Sequence, residues 1–451
     1  MNKLLQSVFP RLGESQNTVI REVMVLMIAV LSPTAGRAQP SPSPAPSRRL
    51  TIADAAATAL QNHPRIRAAA LKEQAAEAVR TEVRAPLLPR LSASLTGVQA
   101  DDGTSVASGN LTTSSLDTRL AAGAYLTQLL TDFGRTSSLV RSASLRIRAR
   151  QDDIEATRAD VILNVRQAYF RALLSQSVLK VAQDTLGSRQ VTFRQVNALF
   201  QSQMKSSVDL SFAEVNVSQA ELDLETAGND LSASMTQLSA AMGLQDDTPY
   251  ELADEAMPPA LSPDLEPIVR EAFENRPDLA SARHEYEAQL SFARSEHRLK
   301  LPTVNALGAG GVVPVRDERL HSDYGAIGFN VDIPLYNGGL FSARQAEADL
   351  RAQTAAEEVR ALEIRIRADV KVAWLAAQTA SRRMGVSAKL VDQARRSARL
   401  VETRYSLGLG SIVELIQAQL SQTSAEIENT NAKYEYESAR SALDYAAGNL
   451  K

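Results

Sequence analysis

The side chains best suited to chemistry in this chain are its four histidines, which could act as metal ligands: His63, His284, His297 and His321. Histidines that share a metal on one helix stand at i and i+4, on the same face. None of the four has such a neighbour, and the two on one predicted helix, His284 and His297, are thirteen residues apart. We therefore predict that each is a surface residue and not a metal ligand.

Two further patterns point weakly to ligand binding. Residues 407–411 (Leu-Gly-Leu-Gly-Ser) look like a phosphate-binding loop, but the lysine and the preceding strand of such a loop are missing. The pairs Asp101-Asp102 and Asp246-Asp247 offer calcium ligands, but the residues around them lack the EF-hand pattern. The sequence therefore predicts no enzyme active site, no cofactor and no metal site.

The N-terminus has the features of an export signal. Nine apolar residues at 23–31 precede a Gly-Arg-Ala sequence ending at Ala38, whose small residues suit signal-peptidase cleavage. The apolar run is too short to span a bilayer as a helix, which takes about 20 residues. We predict a signal peptide at residues 1–38 and a flexible Pro/Ser leader at residues 39–48. The alternative is a buried strand or helix at 19–31. The complete absence of cysteine fits an exported protein without disulfides.

An internal repeat indicates how the helices and strands that would position a functional site are arranged. Residues 130–244 align with residues 335–449 at a constant offset of 205, so that Val165 meets Val370. A shorter match at an offset of 213 lies upstream of it. In a chain of 451 residues, a repeat of about 200 residues predicts two interlocked halves of one architecture.

The repeat divides the mature chain into a first half at residues 49–245, a linker at 246–264 and a second half at 265–451. We predict that each half contains a helix, a β-hairpin and a long helical hairpin. The linker joins the halves at mid-height, and we expect it to add a collar of small helices. The net charge of −3 gives no reason to expect a nucleic-acid partner.

The helical hairpins are predicted from a heptad pattern. From Val161 to Phe200 the apolar positions step alternately by four and three residues, with only Ser175 and Arg189 departing from the pattern. Steps of this kind average 3.5 residues per turn, which is typical of helices packed as coiled coils. The pattern resumes at Leu210 after a polar break, so the chain turns and returns as a second helix.

The predicted helices are long. One helix over residues 136–201 would extend about 100 Å at 1.5 Å per residue. The returning helix covers half of that length, and residues 51–85 supply about as many helical residues again. The two shorter helices, stacked end to end, match the long one, so the molecule must be elongated.

Between Pro89 and Asp132 the apolar period falls to about two, and residues 304–333 of the second half repeat this change. These segments predict two hairpins with strands of about ten residues, the length of a transmembrane β-strand. The alternative is a surface hairpin that caps the helices. Four strands cannot close a barrel, and an open edge in lipid leaves backbone groups unsatisfied. Eight strands from a dimer would leave a filled interior, whereas twelve from a trimer could enclose a channel.

At this point the chain resembles the TolC-like outer-membrane efflux protein family over nearly all of the mature sequence. Three motifs carry the resemblance, and each has a counterpart in the other half. They are the Leu-Thr-Ile-Ala-Asp-Ala-Ala opening at residues 50–56, the Leu-Thr-Asp-Phe-Gly-Arg segment at 130–135, and the turn at 405–415. Each motif alone is weak, but two copies of all three in the same order form a specific signature.

The resemblance implies a mixed α and β membrane protein: a homotrimer with a 12-stranded transmembrane β-barrel, four strands per chain, continued by a long periplasmic α-helical barrel. It implies an exit duct in the outer membrane of a Gram-negative bacterium, for efflux or type I secretion. The implied partners are two further copies of the chain, outer-membrane lipid, a periplasmic adaptor protein and an inner-membrane pump. The duct itself performs no chemistry, because the pump supplies the energy.

The resemblance also assigns roles at the helical tips. Glu414 takes the position of an acidic ring at the constriction, Tyr405 that of a tyrosine that holds the closed state, and Asp209 that of the tyrosine's bonding partner. Three glutamates around a threefold axis would attract cations, so the aperture should be narrow and cation-selective. The alternative is that Glu414 is a solvated helix charge. The tip residues expected to contact the adaptor are Phe200, Met204, Lys205, Ser206, Gly408, Leu409, Gly410 and Ser411.

The chain departs from the family pattern at Gly410, where an arginine can stand, and at Gln417, where a second acidic residue can stand. We therefore expect a more easily opened tip. Gly408 and Gly410 fit a turn that needs positive φ. Because the first half has Gln203 and Lys205 at these places, we expect the two tips to differ in shape.

The competing class is a soluble periplasmic coiled-coil scaffold or adaptor. It explains the heptads and the signal peptide equally well. It does not explain two amphipathic hairpins placed between helices of matched length. The sequence therefore favours the duct.

Overall fold

A computed structural model describes residues 48–99, 105–108, 111–115, 119–245, 250–257, 261–315 and 321–450. The predicted signal peptide lies outside these residues, as do both aspartate pairs and the leader up to residue 47. Arg48, the last residue of the predicted leader, is the first residue of a strand.

The first half alternates short helices, strands and long helices in chain order. Its elements are β1 Arg48–Leu50, α1 Ile52–Asn62, α2 Pro64–Arg84, β2 Arg90–Val98, β3 Ser105–Ser108, β4 Leu111–Ser115, β5 Arg119–Thr131, α3 Arg135–Gln201 and α4 Ser207–Ala241. The linker and second half follow with β6 Tyr250–Leu252, α5 Glu266–Asn275, α6 Pro277–His297, β7 Thr303–Val315, β8 Asp323–Asp332, α7 Leu340–Ser406 and α8 Ile412–Ala446.

The predicted long helices are confirmed. α3 and α7 have 67 residues each, and the returning helices α4 and α8 have 35 each. The heptad positions Val161, Val165, Ala172 and Val196 are buried, as a coiled-coil seam requires. No helix in the described ranges has an apolar stretch that would carry it across a membrane.

The helical run predicted at residues 51–85 is broken in two. His63 has φ −72° and ψ 123°, an extended conformation, and Pro64 begins the next helix. A residue before proline is pushed out of the helical region by the proline ring, and proline lacks the N–H that would continue the helix. The second half has the same break at Arg276-Pro277.

The linker forms a strand where small helices were expected. β6 pairs in parallel with β1, with Leu50 opposite Leu252. The Tyr169 hydroxyl of α3 lies 2.8 Å from the Leu50 carbonyl oxygen and 2.7 Å from that of Ala253. In the described part of the linker, residues 250–257 and 261–264, the expected collar of helices is therefore wrong: pairing with β1 and the contact with Tyr169 hold residues 250–253 extended.

The four long strands form one antiparallel sheet in the order β2-β5-β7-β8, and β3 and β4 pair separately. The register places Leu91 opposite Leu126, Leu126 opposite Gly308 and Gly308 opposite Ile327. These residues therefore share one face of the sheet. β2 and β8 are the two edge strands.

The helices lie side by side in an order that continues the order of the strands. Beside the sheet, α2 packs on α3, α3 on α6 and α6 on α7. Towards the hairpin turns, α4 packs on α3, α3 on α8 and α8 on α7. The described part of residues 48–450 therefore has two lateral sides, one formed by β2, α2 and α4 and the other by β8 and α7.

Candidate functional site

The two helical turns, residues 202–206 between α3 and α4 and residues 407–411 between α7 and α8, lie side by side. One apolar cluster joins the ends of all four helices. Its buried members are Val196, Ala213, Tyr405, Ile412 and Leu415. The predicted tip residues are therefore brought together at one end of the molecule.

The backbones of the two turns make equivalent hydrogen bonds. The Gln203 N–H donates to Phe200 O at 2.9 Å, and the Gly408 N–H donates to Tyr405 O at 3.0 Å. The next residue in each turn donates five residues back, at 2.8 Å in both cases. The expectation that the tips differ in shape is therefore wrong for the backbone, because both helices end with the same hydrogen-bonded turn.

One of the two glycine predictions is confirmed. Gly408 has φ +74°, and its counterpart Gln203 adopts φ +58° although it has a side chain. Gly410 is absent from the positive-φ residues, so the prediction for it is wrong. Gly410 is instead a place of close approach: a Cβ there would lie 3.3 Å from Glu414 Oε2.

The two returning helices begin with serine caps that differ in one respect. At α4 the Asp209 N–H donates to Ser206 Oγ at 3.2 Å, and Asp209 Oδ2 accepts from the Ser206 N–H at 3.2 Å, which closes a capping box. At α8 the Glu414 N–H donates to Ser411 Oγ at 3.2 Å, but the carboxylate does not return to the cap.

The carboxylate of Glu414 is therefore free. Glu414 is exposed, and within the described part of the chain its carboxylate forms no hydrogen bond or ion pair. The small Gly410 leaves room beside it. This site thus presents an unneutralised negative charge at the end of the molecule.

Tyr405 is only 6% exposed, and its hydroxyl has no hydrogen-bond partner among the described residues. Burial raises the pKa of Tyr405, and the nearby Asp209 carboxylate raises it further. The predicted Tyr405–Asp209 bond is not formed in this conformation of the chain, because the Asp209 carboxylate is engaged by the cap of α4.

Sequence reasoning missed the bonds that tie the two hairpins together. The Lys205 ammonium lies 4.4 Å from the centre of the Tyr405 ring, a cation–π distance. Further from the tip, Arg189 is 3% exposed, and its guanidinium donates to the Gln419 side chain of α8. Gln419 in turn donates to Thr192 Oγ1 at 3.3 Å. The sequence did contain one signal for this contact, because Arg189 departs from the heptad pattern.

The outermost side chains of both turns are apolar and exposed. Met204 is 71% exposed, and Leu407 and Leu409 are 68% exposed each. Phe200 is exposed to a smaller degree, while Ser206 and Ser411 serve as the helix caps.

The histidines lie far from the turns in sequence, and three of the four make structural contacts. His284 Nδ1 lies 2.7 Å from Asp152 Oδ2, and His297 Nε2 lies 3.0 Å from Asp349 Oδ1. The His63 side chain accepts from the N–H of Arg65 and caps α2. His297 and His321 are exposed, as predicted, whereas His63 and His284 are half-buried. In the described ranges no three potential ligand side chains cluster for a metal.

A four-stranded antiparallel sheet joined to paired helical hairpins is the fold of outer-membrane efflux channel subunits. The solved structure of the outer membrane protein VceC from Vibrio cholerae is similar to this chain with a TM-score of 0.75 at 18% identity. The match covers 88% of this chain and 96% of that one.

The chain belongs to the outer membrane efflux protein family, whose model matches twice, at residues 55–244 and 268–449. It is 24% identical to the outer membrane protein OprJ of Pseudomonas aeruginosa, over 82% of this chain and 78% of that protein. It is 23% identical to the outer membrane protein TolC of Salmonella enteritidis, over 86% and 80%. The predicted family and the location in the outer membrane, with a periplasmic portion, are confirmed.

Proposed function

We propose that three copies of this chain form an exit duct, in which three sheets close into a 12-stranded barrel and the long helices continue it into the periplasm. The main support for the proposal is that both lateral sides of the chain are open. Among the described residues, the side formed by β2, α2 and α4 has no partner element beyond it, and the same holds for the side formed by β8 and α7. A ring joins each side to the other side of the next copy. Three copies supply twelve strands, enough to enclose a channel.

One face of the sheet is suited to lipid. Leu91, Leu95, Leu126, Ile327 and Phe329 lie on this face and are exposed. The opposite face of β2 carries Ser92, Ser94 and Thr96. Alternation of apolar and polar residues along a strand is the pattern of a barrel with lipid outside and water inside.

The gate of this duct is assigned to Glu414, Tyr405 and Asp209. Three copies place three free Glu414 carboxylates around the axis, where they attract cations and repel one another. Tyr405 and Asp209 are assigned the closing contact of the tip, which forms only if the Asp209 carboxylate exchanges its bonds to the Ser206 cap for the unpartnered Tyr405 hydroxyl. With Gly410 in place of an arginine and Gln417 in place of a second acidic residue, the tip has few such contacts and opens easily.

The tips dock onto a periplasmic adaptor that is bound to an inner-membrane pump. Exposed apolar side chains at the end of a helical hairpin, such as Met204, Leu407 and Leu409, are typical of a protein–protein contact. The pump supplies the energy, and the duct carries the substrate outward without chemistry of its own. The similarity to the alkaline protease secretion protein AprF of Pseudomonas aeruginosa, 24% identical over 89% of this chain, supports a secreted polypeptide as one candidate class of cargo.

The alternative, a soluble coiled-coil scaffold, is not favoured by membership in an outer-membrane family. Insertion of the purified protein into a planar lipid bilayer separates the two. We expect discrete conductance steps and a trimer that resists SDS until it is heated. A protein that neither inserts nor forms such a trimer would contradict the duct.

A further inference from the structure

A second heptad seam on α4 has no partner within the described residues. It is separate from the buried stripe of Ala213, Ala220 and Ala227, which faces α3. Its apolar members follow one another at steps of four, three and seven residues and are 44–68% exposed. They are Val208, Phe212, Val215 and Leu222.

A matching stripe runs along the last part of α7. It lies beside the seam that packs on α8, whose members include Val391, Ala398 and Tyr405. The apolar members of the exposed stripe are 49–68% exposed and fall on one heptad pattern. They are Val386, Leu390 and Leu400 of α7, continued by Leu407, which directly follows the helix.

The two stripes lie at the same height above the turns. Val196 of α3 clusters with Ala213 of α4, which fixes the residues that face each other across the first hairpin. At the offset of 205, Leu400 corresponds to position 195 of α3 and so lies at the height of Phe212 and Val215. Rotation about the axis of a ring leaves height unchanged. In such a ring, the α7 stripe of one copy would therefore lie at the height of the α4 stripe of the next.

The charges on these helix segments are complementary. α4 carries six acidic residues and no basic one. Residues 382–404 of α7 carry seven basic and two acidic residues. Two of the basic residues, Arg383 and Arg395, are paired with glutamates of α8. Lys389 makes no ion pair within the described residues, and its height matches that of Glu225 on α4.

We propose that α7 of one copy and α4 of the next form an antiparallel coiled coil near the tips, with Leu400 packed between Phe212 and Val215 and Lys389 paired with Glu225. This inference rests on the proposed homotrimer and specifies its contact. α7 ends at Ser406, one residue after Tyr405, and α8 begins at Ile412, two residues before Glu414. The contact between α7 and α4 thus lies next to the proposed constriction. Widening of the tip requires neighbouring copies to separate at this contact.

Cysteine cross-linking tests the contact directly, because the chain has no cysteine of its own. In the variant Val215→Cys/Leu400→Cys, oxidation of the membrane-extracted protein should give covalent trimers on non-reducing gels. The matched control is Val215→Cys/Glu402→Cys, since Glu402 is exposed at nearly the same height but on another face of α7. We expect the control to remain monomeric when it is denatured.

The proposal is overturned if the unmodified protein is trimeric but the first pair fails to cross-link, or if both pairs cross-link equally. A monomeric unmodified protein would contradict the proposed homotrimer itself, and with it this contact. A charge swap provides an independent readout. Lys389→Glu should lower the temperature at which the trimer dissociates in SDS, and adding Glu225→Lys should restore it; a double variant no better than the single one would contradict the ion pair.

Discussion

The two helical hairpins share a backbone but differ in what their side chains do at equivalent positions. Asp209 and Glu414 both stand three residues after a serine cap, yet only Asp209 returns to its cap. Local hydrogen bonds therefore engage one carboxylate and leave the other free. The repeated pattern therefore determines the shape of the hairpins, while the departures from it identify the residues with special roles.

Three other departures carry a physical cost. Arg189 is buried where the second hairpin has Ala394, and Glu437 is buried where the first has the exposed Ser232. Gln203 holds a positive φ where the second hairpin has Gly408. Substitutions test each of these departures. Arg189 tests a link between the hairpins, Glu437 tests a pH dependence of stability, and Gln203 tests backbone strain.

Removal of the buried Arg189 should have the largest effect on stability. The variant Arg189→Ala leaves the Gln419 carbonyl without its donor, which costs about 1–3 kcal/mol for a buried polar group. We expect a lower melting temperature, measured by circular dichroism, and a smaller additional loss when Gln419→Ala is combined with it. The control Arg194→Ala removes an exposed arginine of the same helix. Equal melting temperatures for the two single variants would show that the link between α3 and α8 contributes nothing.

Glu437 should make stability depend on pH. Burial raises the pKa of Glu437 from its ordinary value of 4.5 to about 7, while Lys433 acts in the opposite direction. A raised pKa in the folded state means that the folded state loses stability as the pH increases from about 4.5 through 7. Glu437→Gln should therefore raise the melting temperature by a few degrees at pH 8 and change it little at pH 4.

The control for this pH effect is Glu402→Gln, which removes an exposed carboxylate near the end of α7. It should change the melting temperature little at either pH. If Glu437→Gln were equally neutral at pH 8, burial of this carboxylate would not be a source of the pH dependence.

The positive φ at the turns should have a smaller effect, of opposite sign in the two hairpins. Gln203→Gly should stabilise the protein by about 1 kcal/mol, and Gly408→Ala should destabilise it by a similar amount, because residues with a Cβ are strained in this region. Gly385→Ala is a matched control in the interior of α7, where an added Cβ meets nothing within 4 Å. It should stabilise the helix. A neutral Gly408→Ala variant would contradict the strain at this turn.

Much of the fold is predictable from the sequence because its elements are long and periodic. The heptads determine α3 and α7 to within a residue at their turns, and alternation locates the four long strands. The extended linker was not predictable, because it depends on contacts with Tyr169, which is more than 80 residues away in the sequence.

The candidate site was predictable in position but not in its bonding. Ser411 and Glu414 match the capping-box pattern better than Ser206 and Asp209 do, since glutamate is the preferred third residue. The structure closes the box only at Asp209. The partner of Arg189 lies 230 residues further along the chain, so its heptad departure was visible but its role was not.

The most direct test of the central claim compares the two carboxylates in the same channel. Reversal potentials in a planar bilayer under a KCl gradient give the permeability ratio of potassium to chloride. We predict that Glu414→Gln brings this ratio close to one, while Asp209→Asn, which alters the engaged carboxylate, leaves it near that of the unmodified protein. A channel whose selectivity survives Glu414→Gln, or is lost equally in both variants, would contradict the assignment of the constriction to the free carboxylate.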